Sequence, residues 1–97
     1  MAAKGYVLIT ETITDPEGMK EYGKLASQAM GGATVLSVDQ KPTVIEGTWE
    51  CTQTVLLEFE SVQAANDWYY SDAYQAAAKI RQGAAECNGV ILSGFPS

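Results

Sequence analysis

Arg81 in this 97-residue sequence lies four residues after Ala77, four before Ala85 and seven after Tyr74, so on a helix it borders the apolar face those residues share. Such a guanidinium either pairs with a carboxylate, from a ligand or from the chain's own Glu11, Glu46 or Glu58, or lays its stem on the core and keeps its head in water. Trp49, Trp68, Tyr69 and Tyr74 form an aromatic set large enough to wall a pocket, with phenol and indole groups to orient a polar ligand; packed against one another, the same rings are simply core. Glu11 falls within a β-branched, apolar run, and Glu58 stands one residue before Phe59. Buried, either would have a raised pKa and could act as a general base. The reading favoured for both is an edge position facing water. Glu46 and Glu50 flank Trp49 in a stretch that reads as a solvated loop.

The chemistry open to these groups is narrowed by what is missing. The chain has no histidine, which removes Ser-His and Cys-His dyads and the commonest haem and zinc ligands. Cys51 and Cys87 are too few for a disulfide framework and have no metal-ligand spacing. Gly31-Gly32 follows a helical pattern and precedes a strand pattern, the reverse of the order in a nucleotide-phosphate turn. No metal and no cofactor are expected, so any catalysis would rest on carboxylates, tyrosines, Arg81 or the substrate's own reactivity. A net charge of −6, with six basic residues scattered from Lys4 to Arg81, makes nucleic acid a poor partner. Without an 18-residue apolar run or a signal-like start, no membrane insertion or secretion is expected, and the protein reads as cytoplasmic.

The elements that must position these residues follow from periodicity. Gly5 to Ile13 reads as a strand that runs into Thr14-Asp15-Pro16-Glu17. There either Asp15 caps with Pro16 at the first helical position, or Thr14 and Glu17 form a capping box. Met19, Tyr22, Ala26, Ala29 and Met30 give the helix from 16 to 30 one apolar face, and Gly31-Gly32 ends it. A second strand spans about 33 to 40 and a third about Cys51 to Phe59. Between them, a short extra strand is expected around Thr43 to Glu46. Ser61 caps a second helix that Ser71-Asp72 breaks in two; its alanine-rich second part runs to about Glu86, Asn88-Gly89 turns, and Val90 to Ser93 is the last strand. The order is β-α-β-β-α-β in one domain over residues 1–97: a ferredoxin-like α+β fold with a four-stranded antiparallel sheet and a split second helix.

Strand faces argue for a partner. Tyr6, Leu8, Thr10 and Thr12 point one way and Val7, Ile9, Glu11 and Ile13 the other, so both faces begin apolar. Helices cover one face only, and a domain of this size buries only about 60–65% of its unfolded surface. A two-fold homodimer packed sheet to sheet, closing a dimeric α/β barrel, would cover the other face. Cys51 and Cys87 are expected at opposite ends of oppositely running strands, roughly 20 Å apart, beyond disulfide reach.

Glu46-Gly47-Thr48-Trp49, the run from Val55 to Ser61, and Trp68-Tyr69-Tyr70-Ser71 with Tyr74-Gln75 and Arg81 resemble the family called domain of unknown function 1330, as do Asp15-Pro16, Tyr22 and Gly31-Gly32. The resemblance covers nearly the whole chain and implies the dimeric α/β-barrel superfamily, which spans cofactor-free monooxygenases, isomerases, haem-dependent enzymes and ligand sensors. It also implies basic residues after the glycine pair and in the third strand, where this chain has Ala33 and Gln53, and prolines where it has Cys51 and Glu60. Three functions follow as expectations: a homodimer binding a small hydrophobic or aromatic molecule between sheet and helices, a cofactor-free oxygenase or isomerase acting on an aromatic or polyketide-like metabolite, or a structural dimer without ligand.

Overall fold

The computed structural model describes residues 3–96. Strand β1 (Gly5–Ile13) leads to helix α1 (Pro16–Gln28), strands β2 (Thr34–Asp39) and β3 (Gln53–Phe59), helices α2 (Val62–Tyr69) and α3 (Asp72–Ala84), and strand β4 (Ala85–Ser93). The strands form one antiparallel sheet in the order β2-β3-β1-β4. This is the ferredoxin-like βαββαβ fold with its second helix divided.

β1 lies inside the sheet because both of its faces are apolar enough to be covered and its nine residues pair with all seven of β3 and all nine of β4. Val7, Ile9 and Glu11 are buried on the helix side, while Tyr6, Leu8 and Thr10 are half-buried on the other. Ser61 and Ser71 each begin a helix by accepting a hydrogen bond, from the Ala64 N–H at 3.0 Å and the Tyr74 N–H at 3.2 Å. At the break between α2 and α3, the Gln75 side-chain amide donates to the Tyr69 carbonyl at 2.6 Å, so that turn keeps its acceptor satisfied. Gly31, just past α1, has φ +57°, the left-handed conformation that ends helices and that side chains resist.

Several details depart from the sequence reading. Of the two caps expected at α1, Asp15 with Pro16 at the first helical position is the one whose positions are filled, and the Thr14–Glu17 capping box does not form. Asp15 holds the cap position and Pro16 the first turn, but no side chain closes the cap. The Thr14 hydroxyl instead donates to the Ala84 carbonyl at 3.1 Å, joined by the Thr14 and Asp15 N–H groups at 2.9 Å, because the last carbonyl of α3 lies there unpaired. No strand forms around Thr43 to Glu46. Asn88-Gly89 is not a turn: α3 passes directly into β4, and Asn88 and Gly89 pair with Thr10 and Ile9. The long edge of β1 supplies ladder partners as far as Ile13, and that pairing outweighs the local turn preference. Finally, β3 and β4 both run antiparallel to β1 and so parallel to each other. Cys51 and Cys87 therefore lie at the same end of the sheet, separated by two strand spacings, about 10 Å. That still exceeds the roughly 7 Å limit for a disulfide, and both thiols are free.

The core lies between the sheet and the α2–α3 pair. Trp68 and Tyr74 stack with ring centroids 3.9 Å apart, Phe59 sits 5.1 Å from Trp68, and Val7, Ile9 and Leu57 support them from the sheet. Ala65, Ala77 and Ala78, wholly buried, let the helices come close. α1 packs chiefly against α3 and contributes no fully buried residue. Its end is tied down by the Trp68 indole N–H, which donates to the Ala29 carbonyl at 2.8 Å. Among the described residues no helix is long and apolar enough to cross a membrane.

Gly5 is the tightest point, since a Cβ there would run into the Ser61 carbonyl and the Val62 backbone. Gly5→Ala should therefore lower the urea midpoint by an amount equivalent to about 1–3 kcal/mol, with the slope of the transition unchanged; an unaltered midpoint would show that β1 and the start of α2 separate freely.

Candidate functional site

Among the described residues two charged side chains are buried, Glu11 at 1% exposure and Arg81 at 4%. Glu11 departs from the favoured sequence reading, and Arg81 from one of the two readings left open for it. Glu11 does not face water, because β1 is an inner strand and its odd-numbered residues lie under the helices. Arg81 does not keep its head in water, because α3 directs it down onto β1 and β4. Glu58 lies on the opposite face of the sheet, half-buried, and accepts a 3.1 Å hydrogen bond from the Tyr6 hydroxyl.

Glu11 pairs in the ladder with Gln53 on one side and Cys87 on the other. The Gln53 side-chain amide donates to its carboxylate at 2.8 Å. Burial pushes the Glu11 carboxyl above the ordinary range, and the Gln53 bond and the Arg81 charge only partly offset this. Gln53, a neutral donor, stands where the resemblance implies a basic residue. The Arg81 guanidinium sits over the Tyr22 ring, 5.9 Å from its centroid. Burial opposes its charge, but neighbouring Tyr74 and Cys87 favour it more, and Arg81 holds its proton more firmly than a free arginine. The Tyr22 and Tyr74 hydroxyls share a 2.8 Å hydrogen bond. Burial first, and Tyr74 second, raise the Tyr22 pKa, so that phenol stays protonated. No ion pair within 4.0 Å joins Arg81 to a carboxylate among the described residues, and its Nε has no hydrogen-bond partner there.

Two cavities open on the helix side of the sheet. The larger, about 420 Å³, lies over β1 and β4 at the α2–α3 break and is bordered by Val7, Ile9, Tyr69, Arg81, Cys87 and Gly89. Gly89 faces the helices opposite Ile9 and contributes no side chain to its floor. The smaller, about 180 Å³, lies over β1 and β3 and is bordered by Glu11, Tyr22, Gln53, Val55, Trp68 and Tyr74. It exists because α1 leans on α3 and leaves the β2–β3 side of the sheet partly open.

The residues singled out from sequence therefore separate into three groups. Arg81 and Tyr69 border the larger cavity, and Glu11, Trp68 and Tyr74 the smaller. Glu46 and Trp49 belong to the exposed stretch between β2 and β3 and border neither. The Trp49 indole donates to the Thr54 hydroxyl at 2.8 Å on the opposite sheet face. Sequence reasoning missed Tyr22, Gln53 and Cys87 as neighbours of the buried charges. Tyr22 was visible only as part of an apolar helix stripe, and the other two become neighbours of Glu11 only once the strand register is known. No group of residues able to hold a metal ion is found among the described residues.

The family model described as domain of unknown function (DUF1330) matches residues 4–95. No curated protein matches the sequence. RPA0582, a protein of unknown function from Rhodopseudomonas palustris, aligns in its methylated form at 19% identity over 98% of this chain and 83% of that one, with a TM-score of 0.75. A dimeric ferredoxin-like protein of unknown function from Thermobifida fusca aligns at 9% identity over 96% and 92%, with a TM-score of 0.67. SnoaB, a cofactor-independent oxygenase from Streptomyces nogalater, aligns at 8% identity over 99% and 100%, with a TM-score of 0.64. At these identities the likeness is one of fold.

The burial of Glu11 has a consequence for stability. Above the ordinary carboxylate value of 4.5 and below the raised folded value, the native chain holds a proton that the unfolded chain has released. Stability contributed by Glu11 is therefore lost as pH rises through that window. Glu11→Gln keeps an acceptor for Gln53 and removes the titration. Urea unfolding from pH 4 to 8 should show the variant gaining on the parent as pH rises; parallel curves would mean Glu11 ionises normally.

Proposed function

We infer that this chain, which belongs to the DUF1330 family, works as a cytoplasmic homodimer that binds a small hydrophobic or aromatic molecule between its sheet and its helices. The observation that carries this reading is the cavity of about 420 Å³ beside Arg81, a charged side chain 4% exposed whose Nε is unsatisfied. That volume lies in the lower part of the range for small-ligand sites. Val7, Ile9 and Ile91 supply its apolar wall, and one cation and the Cys87 thiol supply its polar points.

Dimerisation is supported by the sheet face turned away from the helices. Leu8 and Leu56 are paired side by side on it, Val90 and Leu92 are 50% and 44% exposed, and Trp49 lies against Thr54 on the same face. Soluble monomers rarely leave such a face in water. The Thermobifida fusca protein, described as dimeric, is in keeping with a dimer. Light scattering behind size exclusion should give twice the 10.4 kDa chain mass, and Leu92→Glu should shift the population toward monomer; a parent protein that runs as a monomer at micromolar concentration would remove the dimer.

A second reading, a cofactor-free enzyme, draws on Glu11. A buried carboxylate with raised proton affinity, bordering a cavity beside two phenols, suits abstraction of an acidic C–H or phenolic proton from a polyketide-like substrate. The name of SnoaB is in keeping with such chemistry.

The binding reading is tested by filling the cavity. Gly89→Val places a side chain on its floor, where a Cβ meets only ordinary contacts with Ile9 and the Leu8 carbonyl. Ligand-observed NMR with a panel of aromatic acids and neutral aromatics should detect binding to the parent and at least tenfold weaker binding to Gly89→Val. Equal binding would place the ligand elsewhere, and no binding to the parent would leave the structural dimer.

A further inference from the structure

We propose that the ligand of the larger cavity is a carboxylic acid in its anionic form, held by the Arg81 guanidinium with its apolar body against Val7, Ile9 and Tyr69. The inference rests on the binding reading above and adds the charge and orientation of the ligand.

Five of the six basic residues, Lys4, Lys20, Lys24, Lys41 and Lys79, are exposed, so Arg81 is the one buried cation among the described residues. A buried donor left without an acceptor carries a penalty, and a charged one carries more, so a site that keeps it is built for an acceptor that arrives from outside. Among the described residues Arg81 makes no ion pair within 4.0 Å, and the polar groups that favour its charge are the neutral Tyr74 hydroxyl and Cys87 thiol. Glu11, the other buried charge, spends its hydrogen bond on Gln53 and forms no ion pair with Arg81 within 4.0 Å. The Tyr22 and Tyr74 hydroxyls are bonded to each other.

The guanidinium is also held in place, with the Tyr22 ring 5.9 Å from its central carbon. An arginine fixed in this way offers its two Nη groups as a fork matched to the two oxygens of a carboxylate. Carboxylate is favoured over phosphate by the charge count. One cation, with Glu11 close enough to feel its charge and a chain of net charge −6, balances a single negative charge and repels a second. Val7, Ile9 and Ile91 with the open floor at Gly89 favour an apolar body, and Tyr69, Tyr70, Gln82 and Cys87 complete the wall with polar groups.

Paired probes separate charge from shape: benzoate, phenylacetate and 2-naphthoate against benzamide, phenylacetamide and 2-naphthamide, titrated by NMR or calorimetry at pH 7.5. The acids should bind about tenfold to a hundredfold more tightly than the amides. Arg81→Gln should erase that preference, and Arg81→Lys should restore part of it. Equal affinity of acid and amide for the parent would overturn the anion inference and leave the binding reading intact, as would a preference that survives in Arg81→Gln. If no probe binds the parent, both fall. The acid-to-amide comparison on the parent needs no variant, so it decides the matter even if Arg81→Gln does not fold.

Discussion

β1 is hydrogen-bonded along both edges, to β3 over Gly5 to Glu11 and to β4 over Gly5 to Ile13. A strand paired on both sides has no freedom to slide, because a shift of one residue would exchange its two faces. Its odd-numbered residues are thereby committed to the helix side and its even-numbered residues to the other. Glu11 is carried into the interior by this constraint along with Val7 and Ile9, although nothing in its own chemistry favours burial. The same pairing sets Cys87 and Gln53 beside it and places Gly89 opposite Ile9, where the floor of the larger cavity lies open.

The interior thus contains two opposite charges that do not neutralise each other by contact. A buried ion pair gains from mutual attraction only when geometry and hydrogen bonds compensate the loss of water. Here Glu11 is eased by a neutral amide and by an upward shift in its proton affinity, and Arg81 by the face of Tyr22. The cavities border the two charged residues separately. That division matters for function, since a cation beside one chamber and a proton acceptor beside the other are the polar equipment of binding and of proton transfer respectively.

The position of α1 sets how much of the sheet the helices reach. Gly18 of α1 approaches Ala84 so closely that a Cβ would come within 2.9 Å of its methyl group, and α1 therefore leans toward α3 and leaves the β2 side open. Val35 and Val38 remain exposed there, at the rim of the smaller cavity. On the opposite face no helix is available at all, and Leu8, Leu56, Val90 and Leu92 meet solvent unless a second sheet covers them.

By itself the sequence determined the element order, the split of the second helix at Ser71, the apolar character of both faces of β1 and the aromatic set that became the core. These are local properties: alternation, helical spacing, caps and glycines act over a few residues and can be read in order. It also placed Arg81 at the border of an apolar face, without deciding whether its head would reach water. Tertiary structure decided the rest. Asn88-Gly89 looked like a turn and became strand because the edge of β1 was long enough to pair with it. Cys51 and Cys87 came to the same end of the sheet because β3 and β4 both oppose β1. Glu11 and Arg81 were buried, Tyr22 and Gln53 became their neighbours, and Glu46 and Trp49 were left outside, all through a sheet whose paired residues lie about fifteen to ninety positions apart. Burial of a charge depends on what lies above and beside it, and only the closed sheet with its helices in place supplies those neighbours.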